Sequence, residues 1–348
     1  MEKKLKYREI RDLLLKDIRN GIYERGAQLP PERSFAATFG VSHMTVRRAM
    51  NEMEEDGVII RKEREGAFLN PNFHETNDRR IVNIICPFVQ SSVVSKFIEA
   101  IGRNLEKEGN IPRFHWASIS NSRSIIKAIT GTGQCIVLSD GYIFQDKEFV
   151  DILAKHNTDI VVIGQDLSAL GIASVKNEDY ASISHAMQIF KDNGHEDIAV
   201  LSDSVHANMK QILLSSYFNQ PNEKLKKHFI DLDTQPYESS APLAYDAVRK
   251  YLQTGHIDVT GFFCWSDDLL LGAMAACRDE GLRIPEDMSF LAAIDTPATM
   301  FSNPPVTTVG PDIEKHVEKS LEILRLKKWG ELAIIPYKVV SAKSVARR

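Results

Sequence analysis

Several features are missing from this 348-residue sequence, and each absence excludes something. Cysteine is scarce. Cys86, Cys135, Cys264 and Cys277 are scattered, with no CxxC pair and no histidine at metal-ligand spacing, which argues against a disulfide framework or a zinc site. Three of them stand in apolar, strand-like runs, where a thiol packs as a small hydrophobe. No apolar run reaches the roughly 18 residues that a membrane-spanning helix needs. The opening MEKKLKYREIRDLLL is charged and helical in pattern rather than a signal peptide, so a soluble, cytoplasmic protein is expected. GxSxG, GxxxxGK[ST], HExxH and a GxGxxG after a strand are all lacking, so the expectation is a non-enzyme without a cofactor. Neither sign of charge dominates: the formal net charge is −4, with a basic excess in the first 74 residues and an acidic one in the rest. A modestly basic head is compatible with phosphate contacts.

What is present reads as two or more domains, given the length. Over 7–22, Ile10, Leu13, Leu14, Ile18 and Ile22 recur at helical spacing and predict a first helix with one buried face. Pro30 and Pro31 lead into a short second helix through Phe35, Ala36 and Phe39, because proline is tolerated in a helix's first turn. Gly40 breaks it, and Ser42 is placed to cap a third helix running to about Asp56, with Val46, Ala49, Met50 and Met53 turned inward. Gly57 stops that helix, and 58–60 and 67–69 read as two short strands around a charged hairpin tip. The sum is a winged helix over 1–70. Residues 71–80, rich in turn formers and charge, read as a linker.

From 81 to 348 the pattern changes. Apolar runs at 81–86, 135–138, 160–163, 198–201, 260–264 and 289–294 alternate with helical stretches, which predicts parallel sheets covered by helices on both faces. The length fits two lobes, roughly 81–175 and 176–340.

A helix that reads DNA must bring hydrogen-bonding side chains to base edges while its neighbours fix the register on phosphates. Ser42, His43, Met44, Thr45 and Arg47 fill the first turn and a half of the third helix, and Arg33 and Arg48 are placed to reach the backbone or a guanine. Lys62, Arg64 and Gly66 lie in the hairpin. The head resembles the GntR-type winged helix, through Leu29, Pro30, Glu32, Arg33, Gly40, Val41, Ser42, Thr45, Val46, Arg47, Ala49, Gly57, Ile59, Arg61 and Gly66 in register. The resemblance implies double-stranded operator DNA as a partner. Two departures bear on base preference: His43 stands where the family usually has arginine, and Arg64 where its wing usually has glycine.

Stretches 174–201, 262–295 and 304–313 resemble the effector-binding core of the LacI/GalR repressors, which has the fold of periplasmic sugar-binding proteins. Gly194 and His195, the Gly281, Pro285, Glu286, Asp287 stretch, and a turn at Thr307, Thr308 and Val309 carry the likeness. Open α/β sheets bind ligands at the carboxyl ends of their strands. That rule selects Phe88, Ser91, Ser92, Asp140, Gln165, Asp166, Trp265, Ser266, Asp267 and Asp295, a mixture of acids and aromatics that suits a carbohydrate. The resemblance implies ligand contacts for Asp267 and Asp295. Where it leads one to expect an arginine followed by glycine, the segment 206–217 offers Lys210 and no glycine. The two modules together resemble the arabinose-repressor group, which implies a homodimeric repressor whose effector, a sugar or related metabolite, binds between the lobes. A sugar-binding protein or an α/β enzyme without regulatory DNA binding is the alternative.

Overall fold

The computed structural model describes residues 7–19, 22–24, 26–55, 57–62, 65–71, 80–89, 91–129, 133–139, 143–157, 159–203, 226–234, 238–254 and 258–348. The chain divides into two units, residues 1–79 and 80–348. The expected linker over 71–80 lies, apart from its two ends, outside the described residues.

In the first unit, α1 (Tyr7–Arg19), α2 (Glu32–Phe39) and α3 (His43–Glu55) are followed by β1 (Ile59–Lys62) and β2 (Gly66–Leu69). Gly40 adopts the left-handed conformation, φ 64°, and donates its N–H to the Ala36 carbonyl, which closes α2 and allows the sharp entry to α3. Val46, Ala49, Met50 and Met53 are buried as their spacing predicts, packed with Ile10, Leu14, Leu29 and Phe35. The stripe on α1 differs from expectation. Leu13 and Ile22 are exposed and Leu15 is buried, because the face that meets α3 runs through Ile10 and Leu14 and is widened by the next residue rather than the preceding one. The wing has a third strand-like segment besides the two expected. Leu29 N–H donates to the Ala67 carbonyl at 2.8 Å and Leu69 N–H to the Ala27 carbonyl at 2.9 Å, so the stretch before the double proline pairs along the free edge of β2.

The second unit contains two six-stranded sheets. The first has the order β4-β3-β5-β6-β7-β13 and is parallel throughout: β3 (Ile81–Pro87), β4 (Ile111–Ala117), β5 (Gln134–Leu138), β6 (Ile160–Ile163), β7 (Ala173–Asn177) and β13 (Leu332–Ile335). The second has the order β9-β8-β10-β11-β12-β14, with β8 (Asp197–Asp203), β9 (Lys226–Leu232), β10 (Gly261–Cys264), β11 (Ser289–Ala292) and β12 (Thr307–Pro311). Its last member, β14 (Tyr337–Val340), runs antiparallel to β12.

Helices α4 (Ser92–Lys107), α5 (Ser122–Ile129), α6 (Lys147–Lys155) and α11 (Ile313–Leu326) belong to the first lobe, and α7 (Asp179–Asp192), α8 (Ser240–Gln253), α9 (Asp267–Asp279) and α10 (Pro297–Met300) to the second. Along β3, Val82, Ile84 and Cys86 enter one apolar layer and Ile85 the other, which is why this strand reads as apolar on both faces, with Asn83 the exception. All four cysteines are buried, and burial pushes the thiols of Cys86 and Cys277 up to about 12, so these sulfurs pack rather than react.

The expected lobe boundary needs correction. Neither lobe is continuous in sequence: the chain crosses between sheets at 177–179, again at 311–313, and finally at 335–337. Helix α11 returns to the first lobe because Val317, Leu321 and Leu324 cover its sheet, and β13 closes the edge left by β7. The expected turn at Thr307, Thr308 and Val309 is the start of β12, a central strand. In the second lobe α8 and α9 pack closely at Gly272, where a Cβ would sit 2.1 Å from the Ala241 carbonyl oxygen.

Candidate functional site

The start of α3 is built by its own residues. Ser42 Oγ accepts the Thr45 N–H at 3.2 Å, satisfying one of the donors a helix start leaves open, and lies 2.6 Å from Thr45 Oγ1. The two hydroxyls are thus spent on helix geometry. Glu32, at the head of α2, holds two neighbours: His43 Nε2 is 3.0 Å from its Oε2, and Arg61 Nη2 is 3.1 Å from its Oε1. Arg61 also reaches Glu54 at 2.8 Å. One carboxylate therefore ties α2, α3 and β1 together, a role no local pattern reveals.

Other cations rest on aromatic faces. The Arg48 guanidinium lies 4.1 Å from the Tyr7 ring centre and Lys62 Nζ 4.4 Å from that of Phe68. Gly66, φ 106°, starts β2 beside Gln28, whose side-chain amide donates to the Glu65 carbonyl. Arg33, Arg47 and Asn51 are exposed, and their side chains make no hydrogen bond or ion pair among the described residues. Met44 is 68% exposed. Asn51 was not anticipated, although it stands one turn beyond Arg47. Arg64 lies outside the described residues.

In the first lobe, Phe88 is 57% exposed just past β3. Ser91 Oγ caps α4 by accepting the Val94 N–H at 3.4 Å, and Ser92 opens that helix. Gln165 is half-buried beyond β6. Asp166 serves its own turn: its Oδ1 accepts the Ser168 hydroxyl at 2.7 Å and N–H at 3.0 Å, which holds its carboxyl below the usual range. Exposed Trp116, at the end of β4, was not foreseen. Asp140 lies outside the described residues.

In the second lobe the strand ends carry a group of acids. Trp265 is 8% exposed and meets Phe263 edge-on, with ring centres 6.3 Å apart. Ser266 Oγ accepts the Leu269 N–H at 3.3 Å and caps α9. Asp267 is only 4% exposed, and its Oδ2 has no hydrogen-bond partner among the described residues. Asp268 accepts from Ser239 Oγ at 2.9 Å; burial above all, then the charges of Asp267 and Asp203, pushes its carboxyl up. Asp203 and Asp268 were missed, although the strand-end rule that selected Asp267 reaches both. Asp295 differs: Lys96 of α4 lies 3.7 Å away and Lys338 of β14 3.5 Å, so it belongs to an ion cluster linking the two lobes. Lys210 lies outside the described residues.

Residues 6–69 match the family model for bacterial regulatory proteins, gntR family, and residues 187–348 match that for a periplasmic binding protein-like domain. A curated relative, the probable HTH-type transcriptional repressor ExuR of Bacillus subtilis, is 27% identical over 176 residues, covering 49% of this chain and 50% of that protein. The chain thus matches half the length of that relative. A crystal structure of the LacI family regulator CCPA from Weissella paramesenteroides with bound sucrose aligns at a TM-score of 0.65 and 17% identity, over 77% of this chain and 99% of that one. The dimeric Lac repressor with an 11-residue C-terminal deletion aligns at a TM-score of 0.64 and 16% identity, over 76% and 98%. At these identities the likeness is one of fold.

Proposed function

Since the chain joins a gntR-type DNA-binding domain to a periplasmic-binding-protein-like body of LacI-type fold, we propose that it is a small-molecule-controlled transcription repressor. It reads operator DNA with α3 and the wing, and an effector held between the lobes sets its operator affinity. The observation that carries this reading is the outer face of α3, where Met44 and Arg47 stand exposed without partners among the described residues on a helix capped by Ser42. In this reading Arg47 pairs with a base, Arg33, Arg48, Lys62 and Arg64 contact phosphates, and Ser42, His43, Thr45 and Gly66 line the same surface.

The effector is a carbohydrate or a related polyhydroxyl compound. Buried Asp267 supports this, because a carboxylate oxygen without a partner offers an acceptor to a ligand hydroxyl, with Trp265 beside it. Phe88, Ser91, Ser92, Gln165, Asp166 and Asp295, at or just beyond strand ends, are the further candidate contacts, to which the sequence adds Asp140 and Lys210 outside the described residues. The protein acts as a homodimer, with two heads on half-sites about one helical turn apart or a multiple of it. Support for a second copy comes from Leu271 on α9 and Met300 on neighbouring α10, both exposed, together with Phe301, 83% exposed just beyond it.

Thermal melting with a panel of mono- and disaccharides and sugar acids, repeated with operator DNA, tests this reading. A compound that raises the midpoint and changes operator affinity about 5- to 150-fold supports it, that range being a typical coupling of about 1–3 kcal/mol. No shift with any of them removes the sensor.

A further inference from the structure

We propose that Asn51 reads bases and that, together with Met44, it makes the operator half-site demand A·T pairs at both ends of the row covered by α3. Asn51 takes an adenine edge and Met44 a thymine methyl. The inference rests on α3 being the DNA-reading helix.

Residues 44 and 51 are two helical turns apart, so they share a face with Arg47 between them. Both line one concave surface with Tyr7, Arg47 and Arg48, opposite the buried side of Val46, Ala49, Met50 and Met53. Most other polar candidates nearby are already engaged. His43 and Arg61 are held by Glu32, Ser42 and Thr45 by each other, and Arg48 rests on Tyr7. Among the described residues, Met44, Arg47 and Asn51 are what remains available on the outer face of α3.

Their chemistry is unequal. The Asn51 amide offers a donor and an acceptor side by side, which matches adenine N6 and N7, whereas Arg47 matches guanine O6 and N7. Met44 has no polar end, and the apolar feature of the major groove is the thymine C5 methyl. Its exposure leaves an unbranched thioether in water, and a polarizable, adaptable chain suits such a contact. At 1.5 Å rise per residue the row from Met44 to Asn51 is about 10 Å long, roughly three base-pair steps.

The test uses the full-length protein and a random-sequence duplex pool to obtain the half-site, followed by affinity measurements on single-base variants. Wild type selects A·T at two positions about three base-pair steps apart, with the position read by Arg47 between them. Asn51→Ala loses the preference at one of them, roughly 5- to 150-fold, and keeps the other two. Met44→Ala loses the second. Replacing the corresponding thymine with deoxyuridine weakens wild type about fourfold, the value of one buried methyl group, and leaves Met44→Ala unchanged. An enriched site whose preferences survive in Asn51→Ala, or a deoxyuridine duplex bound as tightly as thymine, overturns this inference while leaving DNA reading intact. A pool in which nothing is enriched overturns the DNA-reading assignment itself.

Discussion

Arg47 and Arg61 carry the same charge in different settings. Arg61 is clamped between Glu32 and Glu54, whereas Arg47 has no partner among the described residues. Arg47→Ala is accordingly expected to leave the thermal midpoint of the head unchanged and to cost about 1–3 kcal/mol of operator affinity, measured by fluorescence anisotropy. Asp267 is the converse case in the body, a buried carboxylate whose Oδ2 has no hydrogen-bond partner among the described residues, a setting that costs stability. In Asp267→Asn the midpoint without effector should hold or rise, while effector binding weakens by about 1.5–3 kcal/mol, the worth of a hydrogen bond to a charged group. A fall in both would mark Asp267 as a structural residue. Single-residue roles that depend on near neighbours were legible in the sequence, Ser42 as a cap foremost. Glu32 was not, because it meets Arg61 across 29 positions of chain and nothing local marks that pairing.

At the scale of elements, the close approach of α8 and α9 gives a sharp expectation. Gly272→Ala would gain about 1 kcal/mol of helix propensity, but its Cβ would sit 2.1 Å from the Ala241 carbonyl oxygen. Overpacking, which typically costs about 1–3 kcal/mol, wins. The variant should melt at a lower temperature, and a higher midpoint would show that the two helices separate easily. Elements were legible where burial is symmetrical. β3, β5 and β6 are covered on both faces and read as apolar runs, broken only by Asn83 in β3. β4 lies at a sheet edge with Arg113 and His115 in it, β12 spends threonines in a buried ladder, and β13 has one exposed face. Their patterns resemble turns or loops because the neighbour that satisfies each strand is remote in sequence.

Over the whole molecule, two buried histidines tie stability to pH. In the body, His195 Nε2 donates to the Ala346 carbonyl at 3.0 Å and His316 Nδ1 to the Asp312 carbonyl at 2.7 Å, and burial lowers the pKa of both. The unfolded chain therefore takes up these protons first as pH falls below the ordinary value of 6.5. Their contribution is fully present above that pH and declines as pH drops towards the lowered folded values. The midpoint of the body should be level from these groups above about pH 7.5 and fall between about pH 6.5 and 5, which a buffer series checks. A midpoint that rises over that interval contradicts the assignment.

The threefold crossing between lobes has a consequence during synthesis. The first sheet is complete only when β13 has emerged, and β13 starts at Leu332, long after β7 ends at Asn177. At about 5–20 residues per second the ribosome needs roughly 8–30 s to cover that interval. All that while β7 presents an unpaired edge and the sheet face awaiting α11 stays bare, the kind of surface that recruits chaperones. The apolar cluster of the head is built entirely from residues 7–69, so it can form as soon as those residues emerge, long before either lobe of the body is complete.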